Sequence, residues 1–215
     1  MKWGKILEPP IESAKKLSAV IGVSDIVSKL LIQRGINNYE SAKGYFRPLW
    51  THLNNPFLMK DMQKAVDRIK VAIEKNEKVM ILGDYDVDGT TSVSLLISYL
   101  SDKITDLKPY IPNRYSEGYG ISERAIKYAN SEDINLIIAL DCGIKAIEKV
   151  RYASSLGIDF IICDHHVPGE KLPDAVAVLN PKRSDCNYPF NDLCGCGIGF
   201  KLIQAINNHL GPVSY

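Results

Sequence analysis

The segment Gly83-Asp84-Tyr85-Asp86-Val87-Asp88-Gly89 sets three carboxylates at alternate positions, between an apolar run and a helix expected to begin near Thr90. Carboxylates this close repel one another strongly unless a cation sits among them. The pattern therefore points to Asp84, Asp86 and Asp88 as metal ligands. A solvated acidic turn needs one or two polar residues, not three. A calcium-binding EF-hand loop shares the D-x-D-x-D-G opening. Its twelfth position calls for a bidentate glutamate where Leu95 stands, and VMIL in front reads as a strand, not a helix.

A second group, Asp164-His165-His166, directly follows the apolar run DFIIC. A lone histidine beside a core is more often a satisfied hydrogen-bonding group than a ligand. Two in succession after an aspartate shift that balance, because adjacent side chains leaving a strand point in different directions. One imidazole can then coordinate a cation while its neighbour faces a substrate. Asp141, after the run LIIAL, taken alone reads equally well as a helix cap; beside the other two groups it is placed to bridge two metals. A mixed carboxylate and imidazole set favours Mn2+, with Mg2+ as substitute, over thiolate-seeking ions. A pair of such cations lowers the pKa of a bridging water for in-line attack on phosphorus. No protein nucleophile is then needed, and Ser92, Ser94 and the cysteines read as structural. Cys194-x-Cys196 lacks the spacing and the second pair of a zinc knuckle.

These residues need a scaffold that gathers them. From Val79 onward the runs VMILG, PYIP, LIIAL, DFIIC and AVAVL alternate with helix-like stretches after Thr90, Ser122, Ile144 and Ile198. The expectation is an α/β fold, a mainly parallel sheet flanked by helices. Each run ends in polar residues: Asp84, Asp86 and Asp88; Asn113 and Arg114; Asp141; Asp164, His165 and His166; Asn180. Ligands of open parallel sheets bind beyond the carboxyl ends of the strands. Residues 1–77 read as a helical lead-in without chemistry. In it Ser24 is a plausible N-cap, Gly35 a helix stop, Asp61 to Glu77 an amphipathic helix, and Phe46 to Phe57 a looser stretch.

The chain has 215 residues, with 26 Lys and Arg against 25 Asp and Glu, so no global positive field advertises a polyanion. No run approaches the roughly 18 apolar residues of a membrane span, and the start lacks a signal-peptide core. Five cysteines, an odd number, suit a reducing compartment. A cytoplasmic location follows. Arg114 is a candidate clamp for a phosphate oxygen, whereas Lys182 and Arg183, with Asp185 close by, read as a solvated surface pair. Tyr115, Tyr119 and Tyr188 are too scattered to form an evident stacking platform.

In order along the chain, the aspartate-rich turn, the NRYSEGYGI stretch from Asn113, Asp141 in LDCGI and Asp164-His165-His166 resemble the DHH phosphoesterase superfamily. QRGI with Glu40-Ser41-Ala42, NPFLMKDMQKAVDRI from Asn55, LNPKR, YPF and GCGIGFKL are similar to its RecJ-type branch. Other branches usually carry a histidine four residues before the first paired aspartate; Leu82 stands there, with Asp84 present instead. The resemblance implies a DHH-type catalytic domain over residues 78–215 and a 5′ to 3′ exonuclease on single-stranded DNA in repair and recombination. It implies that Asp86 and Asp88 ligate different metals, that Asp141 bridges them, that His165 holds one and that Asp84 helps at the first. His166 would meet the scissile phosphate or the leaving oxygen, with Asp164 orienting its neighbours. Arg114 and Asn113 would bind substrate.

Two ions, Mn2+ or Mg2+, are expected in the intact protein, with single-stranded DNA as substrate, a single-strand-binding protein or helicase as candidate partner, and no membrane. The family has a further metal-binding aspartate, a DHHA1-type domain and an OB-like fold beyond the last residue here. This portion by itself is therefore expected to hold metal weakly, with little or no exonuclease activity. A phosphoesterase for short oligonucleotides, cyclic dinucleotides or pyrophosphate is the alternative. A non-catalytic scaffold would show eroded ligands, and Asp86, Asp88, Asp141, His165 and His166 all stand.

Overall fold

The apolar runs VMILG, LIIAL, DFIIC and AVAVL each supply a buried parallel strand, which suits cover on both faces. The run PYIP gives only Pro109 and Tyr110 to a partly exposed edge strand that starts at Leu107, where pairing with Val79 begins. A computed structural model describes residues 8–210, with side chains to residue 208. Strands β1 (Val79–Gly83), β2 (Leu107–Tyr110), β3 (Leu136–Leu140), β4 (Asp159–Cys163) and β5 (Ala177–Leu179) form one sheet in the order β2-β1-β3-β4-β5. Every pairing is parallel, as the alternation of strand-like and helix-like segments predicts. In front of the aspartates stands β1, so the EF-hand reading fails on structure as it did on spacing.

Side chains alternate across the pleat. Met80, Leu82, Ile137, Ala139, Phe160 and Ile162 enter one core with α6 (Glu123–Ser131) and α7 (Ile147–Ser155). Ile81, Leu136, Ile138, Leu140, Ile161 and Cys163 enter the other, with α4 (Met62–Glu74), α5 (Val87–Leu100) and α8 (Gly195–Leu210). Helices thus cover both faces. The chain divides between Leu53 and Asn54 into two units, and the sheet with both cores belongs to the second. In the first, α1 (Ile11–Ile21), α2 (Asp25–Gln33) and α3 (Tyr39–Phe46) pack on Ala14, Leu17, Leu31 and Ala42. Ser24 caps α2 by accepting the Val27 N–H, and Asn38 exchanges hydrogen bonds with Ser41 at the start of α3. Among the described residues no helix is long and apolar enough to cross a membrane.

Three further expectations change. Helix α5 begins at Val87, not near Thr90, because the Asp86 side chain accepts the Gly89 N–H and starts the helix earlier. Helix α8 begins at Gly195, ahead of Ile198, because the Asp88 carboxylate receives the first N–H groups of that helix. Arg183 is no solvated partner: it is 8% exposed and donates to Asp61, Asp185 and the Val178 carbonyl. A guanidinium needs several acceptors to be buried, and Asp61, distant in sequence, supplies one that no local pattern announces.

Candidate metal centre

Sheet register decides where the aspartates emerge. Gly83 is level with Leu140, and Leu140 with Cys163, so Asp84, Asp141 and Asp164 leave three neighbouring strands in one row. Strands β1 and β3 are also the pair at which the strand order reverses, since β2 lies on the far side of β1. In open α/β sheets that crevice is where ligands bind.

Each aspartate is held differently. Asp84 is 2% exposed, and its Oδ1 is buried without a hydrogen-bond partner. Burial and the charge of Asp86 push its carboxyl above the ordinary range. Gly89 must lack a side chain, because a Cβ there would sit 2.3 Å from the Asp84 carbonyl oxygen. Asp141 adopts φ 60, a left-handed conformation that costs an L-residue about 1–2 kcal/mol, and its N–H donates to the Cys163 carbonyl at 2.8 Å. The side chain thereby turns back over the strand ends. It is 2% exposed, Oδ1 accepts no hydrogen bond of good geometry although His165 Nε2 stands near it, and burial together with Asp88, Asp86 and Asp164 pushes its pKa up to about 8. Strain at a single residue is characteristic of functional sites.

Asp164 accepts the Ile144 N–H on Oδ2 and the His166 N–H on Oδ1, which also lies 2.7 Å from His166 Nδ1. Behind the histidines, the buried Asn180 donates to the His166 carbonyl at 2.9 Å. His165 Nε2 stands 3.1 Å from Asp141 Oδ1 and 3.8 Å from Asp88 Oδ2. Burial and the neighbouring His166 hold the His165 imidazole below its usual pKa, which favours the neutral, ligating form.

Two potential ligand sets result, each with donor atoms within 4.8 Å of one another: Asp84, Asp86 and Asp141, and Asp141 with His165 and His166. Asp141 belongs to both. Asp88 lies at the edge of the second set, and its oxygens already accept Gly195 and Cys196 N–H groups at 2.6 and 2.8 Å. Burial alone would raise the Asp88 carboxyl, but the Cys196 and Gly195 N–H groups outweigh it and hold the pKa below the usual value. A buried carboxylate oxygen without a donor is costly unless it is protonated or meets a cation. Those of Asp84 and Asp141 fit hard divalent ions, as do the carboxylate and imidazole donors around them.

The NRYSEGYGI stretch forms the rim. Asn113 closes its own turn, its Oδ1 accepting the Tyr115 and Ser116 N–H groups. Arg114 lies over the Tyr85 ring, 5.2 Å from its centroid. Glu117 escaped the residue-by-residue reading, and Tyr119 was weighed there only as a stacking ring. Glu117 gathers the Asn113 N–H, the Tyr110 hydroxyl and the Ser122 hydroxyl. The Tyr119 hydroxyl stands 3.3 Å from His166 Nε2, and burial with the Asp164 and Asp84 charges pushes its pKa well up. Their signal was position alone, in a loop after a strand. Tyr119, Ile121, Ile144, Lys145 and His166 line a cavity of about 330 Å³ beside the carboxylates. Gly195 was also missed as a site residue: a Cβ would meet Asp141 Oδ1 at 2.6 Å.

Known proteins resemble this chain. The single-stranded-DNA-specific exonuclease RecJ of Bacillus subtilis is 41% identical over 98% of this chain and 27% of its own length. RecJ of Escherichia coli is 33% identical over 86% of this chain and 32% of its own length. The chain thus spans about a third or less of these relatives. A crystal structure of exonuclease RecJ bound to manganese superimposes with a TM-score of 0.64 at 30% identity, covering 72% of this chain and 39% of that one. RecJ from Thermus thermophilus in complex with Mn2+ gives 0.74 at 24% identity, covering 96% and 29%, and supports the fold alone. Residues 78–214 match the N-terminal domain of the DHH family, and with the carboxylate row and the paired histidines in place the chain belongs to that family.

Proposed function

We propose that this centre holds two divalent cations, Mn2+ with Mg2+ as substitute, and belongs to an enzyme that hydrolyses single-stranded DNA from its 5′ end. The observation that carries the reading is Asp141, a buried, strained carboxylate shared by an all-carboxylate set and a histidine set. Asp84, Asp86 and Asp141 hold one ion in this reading; Asp141 and His165, with Asp88 beside them, hold the other. Such cations, when bound, activate water for in-line attack and neutralise charge on the phosphate oxygens.

The remaining work falls to the chain's own groups. Asp164 fixes the His166 ring by accepting at Nδ1, so in the imidazolium form the second proton sits on Nε2, next to Tyr119 and the cavity. That proton is placed for the departing oxygen. Arg114, stacked on Tyr85, has guanidinium N–H groups to offer a phosphate. Asn113 acts through the turn that presents Arg114. Residues 78–215 carry the chemistry. A single-strand-binding protein or helicase delivering the strand, and a cytoplasmic location, complete the reading; the DNA substrate itself follows the RecJ relatives.

The test is cleavage of 5′-phosphorylated single-stranded DNA with Mn2+ by the full-length protein beside its Asp141→Asn variant. Loss of cleavage in the variant is expected. Equal rates would remove the centre from the chemistry, and wild-type turnover of only cyclic dinucleotides or pyrophosphate would replace the substrate.

A further inference from the structure

We infer that the first unit carries a binding trough for single-stranded DNA, separate from the metal centre. Tyr39, Lys43 and Phe46 fall on one face of α3 at helical spacing. They line a groove of about 320 Å³ with Val20 and Arg47. A second groove, of about 390 Å³, shares Val20 and Tyr39 and adds Lys16 from α1. The two grooves adjoin at Val20 and Tyr39 and together have three cations and no carboxylate in their walls. None of the three cations forms an ion pair among the described residues. Tyr39, Phe46 and Val20 are each about half exposed, at 49%, 51% and 54%, so apolar surface and free positive charge lie side by side.

Charge is segregated along the chain. Residues 1–53 hold eight Lys and Arg against four Asp and Glu, while residues 54–215 hold eighteen against twenty-one. The near-neutral total conceals a basic first unit, and the field of that unit favours a polyanion. Half-exposed aromatic rings beside cations match unpaired bases strung on phosphates: rings stack on bases, while Lys and Arg meet the backbone. A duplex offers the phosphates with its bases already stacked. The choice of a DNA strand over another polyanion rests on the function proposed above. A second hold on the same strand raises the effective concentration of its remainder near the metal centre.

The test is fluorescence anisotropy of a labelled 20-nucleotide oligothymidylate with the 215-residue chain, in EDTA so that the strand stays intact. A Lys16→Ala, Lys43→Ala, Arg47→Ala triple variant should weaken binding and flatten the dependence of log affinity on log salt by about 2, the share of three phosphate contacts on a single strand. Tyr39→Ala should weaken binding about tenfold, with Tyr39→Phe restoring it. Unchanged helical circular dichroism and an unchanged thermal unfolding profile show that the three variants are folded. Wild-type affinity and slope in the triple variant overturn the inference, as does equal binding of duplex or of an acidic peptide. If these variants lose DNA binding while the full-length protein cleaves no DNA, the trough stands and the nuclease reading falls. Cleavage by the full-length protein with trough binding unchanged gives the reverse.

Discussion

Asp141 concentrates the chemistry of the site in one residue. Its left-handed backbone turns a carboxylate into the row of strand ends, where burial and three neighbouring acids push its pKa up to about 8 from an ordinary 3.8. Between those two values the folded chain keeps a proton that the unfolded chain has released. The contribution of Asp141 to stability without cations is therefore fully present below about pH 4 and is lost as pH rises through about 8. A cation replaces that proton, so Mn2+ affinity should climb through the same window, with proton uptake by buffer visible in calorimetry. Asp141→Asn should flatten both profiles. An unchanged slope in the variant would assign the titration to another group.

Two helix starts do double duty at the scale of elements. Asp86 opens α5, and Asp88, the second residue of that helix, caps α8 across 107 residues of sequence. Acidic groups at helix N-termini also gain from the helix dipole. Asp88→Ala strips the acceptor from two N–H groups and should cost about 1–2 kcal/mol in guanidinium unfolding measured in EDTA. A purely ligating Asp88 would show no loss without metal. Gly195→Ala probes the other side of this contact. Its new Cβ would stand 2.5 Å from Asp141 Cβ, so α8 must back away from the carboxylate row. Thermal unfolding should register about 1–3 kcal/mol of overpacking, and Mn2+ affinity should fall with it. Wild-type Mn2+ affinity in this variant would mean that the centre tolerates a shifted α8.

At the scale of the whole sheet unit, register and a long-range ion pair hold the layers in place. Arg183, in the loop after β5, reaches Asp61 at the entry to α4 and the Val178 carbonyl. Desolvation would weaken the Arg183 charge, but its bonds to Asp185 and Asp61 more than restore it. Arg183→Ala leaves Asp61, whose side chain is 10% exposed, without its main partner. Such losses cost about 3–5 kcal/mol, and a chemical-denaturation midpoint shifted by less than a third of that would reduce the pair to surface decoration.

The local rules of the chain were enough for the strands, the parallel class of the sheet and the aspartate and histidine clusters, because each depends on spacing within a few residues. Continuous apolar runs mark strands covered on both sides, and polar residues directly after them have only the sheet rim to occupy. What only tertiary structure decided involves partners far apart in sequence. The row of Asp84, Asp141 and Asp164 depends on inter-strand register. The capping of α8 by Asp88, the burial of Arg183 with Asp61 and the place of Tyr119 beside His166 depend on loops brought together by packing. The basic trough was hidden for the same reason: Lys16 and Tyr39 become neighbours only when α1 and α3 pack. Electrostatic energies depend on distance through space, and a sequence specifies those distances only within a single element.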